Sequence, residues 1–247
     1  MAHRDQLENV RHAHFVGLEH RDAETIEADE GAPHGTLVLA EEQLAGRGRR
    51  GRGFVSRPEG NLFFTLVLRL GLADHHRLPL AVPLAVAEAC RAEGVPALVK
   101  WPNDTWVDGL KVSGMLIDAE LGESDAIALP GIGINVNGDP SDSSPELVGV
   151  ATSLRKLLGR EVDREQLLAR LCNALEVNLG QPAGELVARY RALSLIVGKR
   201  VLVSPVAGSP FEGTAEAVDE DGSLLVRRQS GKREVVTAAD VSLRPLS

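Results

Sequence analysis

Apolar residues fall in short unbroken runs and in stretches of helical period, and the order of the two predicts the layout of the chain. Thr36-Leu37-Val38-Leu39-Ala40 reads as a strand, and so does the run from Asn61 to Leu70. Leu62 to Leu68 is too uniformly apolar for a one-sided sheet, so both faces of that strand should be covered. Pro79 to Gly94 reads as an apolar helix, with Pro79 near its start, Pro83 as an alternative first turn and Gly94 as its stop. Ala97 to Lys100 is a short strand. Trp106-Val107 and the run from Leu110 to Ile117 flank Asp108-Gly109, a hairpin signal. Ala126 to Leu129 leads into Gly131-Ile132-Gly133-Ile134-Asn135, where alternate glycines mark a close approach of backbone or ligand. It is not the G-x-G-x-x-G pattern of dinucleotide-binding folds. Asp139 to Pro145 reads as a polar loop. Asp163 reads as the N-cap of a helix with Leu167, Leu168, Leu171 and Leu175 on its apolar face, and Glu185 to Leu193 as one more helix. Before the first strand, Asp22 to Glu30 reads as a short helix stopped at Gly31.

From Gly198 the pattern changes. Lys199–Val203, Phe211–Val218, Leu224–Arg228 and Glu234–Val236 are short strand-like runs, with turn signals at Asp221-Gly222 and Ser230-Gly231. They predict a small all-β module, a little barrel of about 50 residues. The expected division is residues 1–197 for a larger α+β domain and 198–247 for this module.

Composition narrows the function. Aromatic residues make up 3% of the chain and the formal net charge is -8, which argue against a stacking surface for single strands and against a general nucleic-acid binder. The two cysteines sit in separate apolar runs and read as buried thiols, so no disulfide framework is expected and a reducing cytoplasm is the default. No basic–apolar leader and no run long enough to span a bilayer is present, which gives the expectation of a cytoplasmic protein without a membrane partner. His12 and His14 lack companion ligands and read as solvated.

Against this acidic background, Gly46-Arg47-Gly48-Arg49-Arg50-Gly51-Arg52 stands out. Glycines let backbone N–H groups approach a ligand, and arginines carry a donor fork that matches carboxylate and phosphate oxygens. An anion-binding loop joining two strands of one sheet is the expectation. Lys100 and Lys111 sit at strand ends, Lys100 before a proline turn with Asn103 and Asp104, Lys111 beside the Asp-Gly turn.

Four segments occur together in order: Gln43 with Gly46 to Arg52, then Lys100 to Asp104 with Lys111 to Leu116, then Gly131 to Asn135, then Ala151-Thr152-Ser153-Leu154. In this combination the chain resembles the biotin protein ligases, the biotin–[acetyl-CoA-carboxylase] ligase family, over about residues 16 to 247. The resemblance implies an α+β fold of the class II synthetase/biotin-lipoyl ligase type. That fold has a central mixed sheet flanked by helices and a C-terminal SH3-like barrel. It implies ATP and Mg²⁺ as cofactors, biotin as substrate and a biotin carboxyl carrier protein or domain as partner. The enzyme would act as a monomer or homodimer. Biotin's carboxylate would attack the α-phosphate of ATP, giving biotinyl-5′-AMP, and a carrier lysine would then take the biotinyl group.

The same resemblance suggests the roles. Lys111 and Arg49 would be catalytic; Gln43, Arg47, Gly48, Arg49, Arg52, Lys111 and Gly114 would hold biotin or the adenylate; Lys100, Asn103, Asp104 and Asn135 would hold ATP. No metal-ligating side chains are expected. Many members of the family carry an N-terminal helix-turn-helix, for which about eighteen preceding residues are too few, so a ligase-only form without DNA binding is expected. Two positions depart from the pattern. Phe54 replaces the usual Trp. Glu19-His20-Arg21 stands where Ser-Thr-Asn usually supplies hydroxyls to biotin's ureido ring, which bears on whether biotin is the preferred acid. A lipoate or octanoate ligase shares the fold, but its Lys-x-Tyr-x-Asp pattern is absent; a non-catalytic module that binds biotin or the carrier would not need the ATP residues.

Overall fold

The structure is a computed structural model, and it describes residues 31–40, 60–142 and 144–243. The Asp22 to Glu30 helix, Glu19-His20-Arg21, Gln43, the Gly46 to Arg52 loop and Phe54 lie outside the described residues.

A six-stranded sheet organises the larger part. Its strands are β1 (Thr36–Ala40), β2 (Leu62–Gly71), β3 (Leu98–Lys100), β4 (Asp104–Val107), β5 (Leu110–Leu121) and β6 (Asp125–Ile134). The spatial order is β1-β2-β6-β5-β4-β3. Each ladder is antiparallel; among the described residues, parallel pairing is confined to the isolated bridges Val99–Ser194 and Lys111–Ala151. β1 and β2 are neighbours, as expected of strands joined by one loop. Residues 62–68 of β2 are all buried, which is the two-sided cover their composition demands. Asp108 and Gly109 both adopt positive φ (49° and 82°), the type I′ geometry that matches strand twist in a two-residue hairpin. β5 and β6 run further than the apolar run of β5 suggests, because their polar ends still pair, to Leu121–Ala126.

Helices cover one face. α1 (Leu72–His75) is a single turn; α2 (Leu78–Ala92), α3 (Leu154–Leu158), α4 (Arg164–Gly180) and α5 (Ala183–Ala192) follow in order. α2 starts before Pro79, and Pro83 lies inside it rather than at its first turn. From Leu78 to Cys90 only Pro79 and Glu88 escape full burial, because α4, α5 and the sheet surround this helix. Asp163 caps α4, its carboxylate accepting from Gln166 N at 3.0 Å. Cys90 is buried within α2, whereas Cys172 on α4 is only half-buried, a correction to the expectation of two buried thiols; neither forms a disulfide.

The C-terminal part is a five-stranded antiparallel sheet in the order β10-β9-β8-β7-β11, the strand content of a small SH3-like module. β7 (Arg200–Pro205), β8 (Phe211–Val218), β9 (Leu224–Arg228) and β10 (Arg233–Val236) match the four apolar runs; β11 (Ala239–Leu243) is an addition. It pairs with β7 and alternates apolar Ala239, Val241 and Leu243 with polar Asp240 and Ser242, a period-2 signal that sequence reasoning passed over. Val201, Val203, Ala215, Leu224 and Val226 form its interior, continuous with the core under the large sheet.

Candidate active site

The faces of the large sheet differ in chemistry. Residues opposite one another in neighbouring strands share a face. Met115, Ile132 and Phe64 line up across β5, β6 and β2 and belong to the core under the helices. The adjacent row, Ala40–Phe63–Gly133–Gly114–Asp104, crosses five strands on the other face. Beside it runs Val38–Thr65–Gly131–Leu116. Three glycines in two rows strip side chains from the middle of this face, leaving a floor of backbone walled by Phe63, Thr65 and Leu116. A flat ligand can lie against such a floor.

Charged residues gather at one end of it. Lys111 Nζ sits 2.7 Å from Asp104 Oδ1, with the side chains 30% and 19% exposed. A Cβ on Gly114 would fall 2.8 Å from Lys111 Nζ and 3.5 Å from Asp104 Oδ1, so glycine here makes room for the ammonium. Lys100 Nζ lies 4.2 Å from the centre of the Trp106 ring, a cation–π contact. The Trp106 indole reaches towards Asp104 Oδ2 at 3.5 Å. Asn103 is tied at both ends to Met115: its Nδ2 donates to Met115 O at 2.5 Å, and its carbonyl accepts from Met115 N at 3.0 Å.

Lys111 is fixed by backbone. Its N–H donates to Val150 O and its carbonyl accepts from Thr152 N, both at 2.9 Å. Asn135 anchors that same segment. Buried at 4% exposure, it donates from Nδ2 to Thr152 O at 3.1 Å, and its carbonyl accepts from Leu154 N. The Ala151–Leu154 stretch is thus a clamp on the strand start that bears Lys111. Asn61 fixes the start of β2, its Oδ1 accepting from Val136 N (2.8 Å) and Gly138 N (3.0 Å).

The structure therefore brings Lys100, Asn103, Asp104, Lys111, Gly114 and Asn135 to one end of the sheet. Ala40, which opposes Phe63, and Gly60 lie at that same end. Both attachments of the stretch containing Gln43, Arg47, Gly48, Arg49 and Arg52 are there. Sequence reasoning placed Asp104 with the ATP residues and did not foresee its ion pair with Lys111, which needs the β4–β5 register. It also left Phe63, Thr65 and Leu116 unassigned; Gly114 and the glycine alternation of β6 were the hints of the floor. Among the described residues no cluster of three or more His, Cys, Asp or Glu could hold a metal ion.

An ion pair taken partly out of water gives back in desolvation much of what it gains in attraction. Redirecting the Lys111 ammonium from Asp104 to an incoming anion therefore costs little. The arrangement suits two anions that must be brought together, with the Lys100 and Lys111 ammoniums at one end of a surface bare of side chains.

Comparison with known proteins gives a family for this geometry. Residues 24–136 match the Biotin/lipoate A/B protein ligase family, and residues 196–244 match the Biotin protein ligase C terminal domain. The biotin–[acetyl-CoA-carboxylase] ligase of Mycobacterium tuberculosis is 34% identical over 217 residues, 84% of this chain and 78% of that protein. The ligase of the same description from Paracoccus denitrificans is 33% identical over 230 residues, 89% of this chain and 95% of its own length. The biotin protein ligase from Aquifex aeolicus, solved in complex with biotin and ATP, superposes with a TM-score of 0.74 at 27% identity, covering 96% of this chain and 99% of that one. With full-length relatives above 30% identity and matches at both ends of the fold, this chain belongs to the biotin protein ligase family.

Proposed function

We propose that this protein activates biotin with ATP and transfers the biotinyl group to a lysine of a biotin carboxyl carrier domain. The observation that carries the reading is the convergence of Lys100, Asn103, Asp104 and Lys111 on the strand end from which the Arg/Gly stretch departs, beside the glycine floor. In the first step a carboxylate oxygen of biotin attacks the α-phosphorus, and pyrophosphate leaves. In the second the lysine amine attacks the acyl carbon; AMP leaves and the amine gives up a proton.

Lys111 leaves Asp104 for the biotin carboxylate and then offsets charge at the α-phosphate. Arg49, with Arg47, Arg52 and the Gly48 N–H, offsets the repulsion between carboxylate and triphosphate and closes the adenylate off from water. Gln43 hydrogen-bonds biotin or the adenylate, and the bared backbone at Gly114 meets the ligand. Lys100 and Asn103 address phosphate or ribose; any adenine contact by Asn135 falls to its Oδ1, because Nδ2 serves Thr152. Mg²⁺ brought in with the nucleotide would supply positive charge to the phosphates, and Asp104, read with the ATP residues, is the carboxylate of this cluster that would face it. We read residues 1–197 as the catalytic part and residues 198–247 as a C-terminal module whose core joins it.

One sequence observation favours a second reading within the same chemistry. Ionised Glu19 can accept from ureido N–H groups but cannot donate to the ureido oxygen. A related carboxylic acid is then the better substrate. Pyrophosphate release measured across biotin, lipoate and octanoate, with mass spectrometry of a purified carrier domain, tests both. Biotin-dependent release and a biotinyl mass on the carrier support the first reading. Release with another acid alone supports the second, and no release with any acid overturns both.

A further inference from the structure

We infer that the turn between β8 and β9 of the C-terminal module holds the nucleotide segment Lys100–Asp104 in place through the Trp101 indole, making Trp101 and Gly222 positioning residues for ATP. The inference rests on the reading of that segment as ATP-binding.

Trp101 lies in the connection between β3 and β4, flanked by Lys100 and Pro102, and is 3% exposed. A buried indole N–H needs an acceptor. Its partner is Gly222 O, at 2.8 Å and 121 residues further along the chain. Gly222 has φ +80°, and a Cβ there would fall 2.7 Å from Pro79 Cβ at the start of α2. The turn is therefore wedged between the indole and α2, and only glycine fits both the dihedral and the gap.

The turn is firm enough to bear this load. Gly222 N donates to Asp219 O (3.0 Å), and Asp219 N donates to Ser223 O (2.9 Å). The Asp221 carboxylate accepts from Ser223 N (2.9 Å) and Ser223 Oγ (2.8 Å). On the strand leading in, Val218 O accepts from Arg191 Nη2 at 3.0 Å. Trp101 sits between three groups read as ATP-binding: the Lys100 ammonium over Trp106, the Asn103 amide on Met115 and the Asp104 carboxylate on Lys111. Displacing the indole moves all three. The glycine floor of β5 and β6 has its own ladder and does not depend on the indole.

The test separates the two ligands. Trp101→Phe keeps a ring and removes the donor; Gly222→Ala strains the turn. Each should raise KM for ATP about five- to tenfold, the worth of one buried hydrogen bond, and leave KM for biotin unchanged. KM values that rise together, or an unmoved KM for ATP, overturn the inference. A second measurement needs no variant that folds poorly. The chain has two tryptophans, so ¹⁵N-indole labelling gives two resonances. In the parent the Trp101 indole proton should exchange more slowly than that of Trp106; equal or faster exchange overturns the inference. A parent that forms no adenylate with biotin and ATP defeats the functional reading instead. ATP titration of tryptophan emission then decides: weaker ATP binding in Gly222→Ala supports the positioning role, and unchanged binding removes it.

Discussion

The helix α2 and the strand-end cluster lie on opposite faces of one sheet and are built on opposite rules. α2 buries apolar groups almost all round and carries no polar side chain that the chemistry uses. Across the sheet, glycines clear a floor, and the polar groups beside it each lean on a named partner: Lys111 on Asp104, Asn103 on Met115, Asn135 on Thr152. The difference assigns stability to one face and chemistry to the other. Substitutions on the helix side should move folding and spare turnover, and those on the glycine side should do the reverse.

The largest expected effect comes from the core. Leu84, fully buried in α2, should cost about 2–5 kcal/mol of stability on replacement by Ala, through lost transfer energy and the cavity left behind. Denaturant unfolding reads the loss, and turnover per folded molecule should match the parent; a fall in that turnover would break the division. Lys111→Ala is its counterpart. It should lose about 2–4 kcal/mol of transition-state stabilisation, by analogy with removing one preorganised donor. ATP affinity should stay near that of the parent, and the unfolding midpoint should fall less than for Leu84→Ala, because Asp104 keeps the Trp106 indole and some water when Lys111 is gone. Equal adenylation rates in single-turnover assays would remove Lys111 from the mechanism.

A smaller effect is expected from Glu19→Ser with His20→Thr. Restoring a donor and acceptor to the ureido group should tighten biotin binding by about 1–3 kcal/mol, or about 5- to 150-fold. Calorimetric titration checks it; unchanged or weaker binding would show that these residues do not face the ureido ring. The smallest concerns Asp139, just past β6. Burial alone would raise its carboxyl pKa, but hydrogen bonds from Ser141 and Lys156 outweigh it and hold the pKa below the usual range. A depressed carboxyl stabilises above its unfolded pKa, and that contribution is lost as pH falls through the folded value. Asp139→Asn should lower Tm by a few degrees at neutral pH, with the gap persisting to about pH 4 and closing below it. A gap that does not change with pH would assign the loss to packing.

Much of this layout was legible in the sequence because its signals are local. The Asp108-Gly109 turn, the two-sided apolar run of β2 and the Asp163 cap each declare themselves within a few residues. The lysines could be placed at strand ends because the strands around them were readable. What stayed hidden depends on register and on distance along the chain. Asp104 meets Lys111 only through the bulged β4–β5 pairing, and Trp101 finds its acceptor at Gly222. Pro83 misled because a proline one turn into an apolar run marks a start as readily as an interior site. Here α2 begins earlier, at Leu78, and carries Pro83 inside. β11 escaped although Ala239 to Leu243 alternates apolar and polar residues, because a five-residue alternation with one small and one terminal apolar member is a short signal and its partner β7 lies far back along the chain.

The two cysteines have a practical consequence. Burial pushes the Cys90 thiol up to about 12 and the Cys172 thiol up to about 11. Alkylating reagents attack the thiolate, and at neutral pH about one thiol in ten thousand or fewer would be ionised at either position. A cysteine introduced among the arginines of Gly46 to Arg52 would have positive neighbours, which favour the thiolate. Maleimide dyes or spin labels should then attach at the Arg/Gly stretch in the otherwise native chain, without first deleting a natural cysteine.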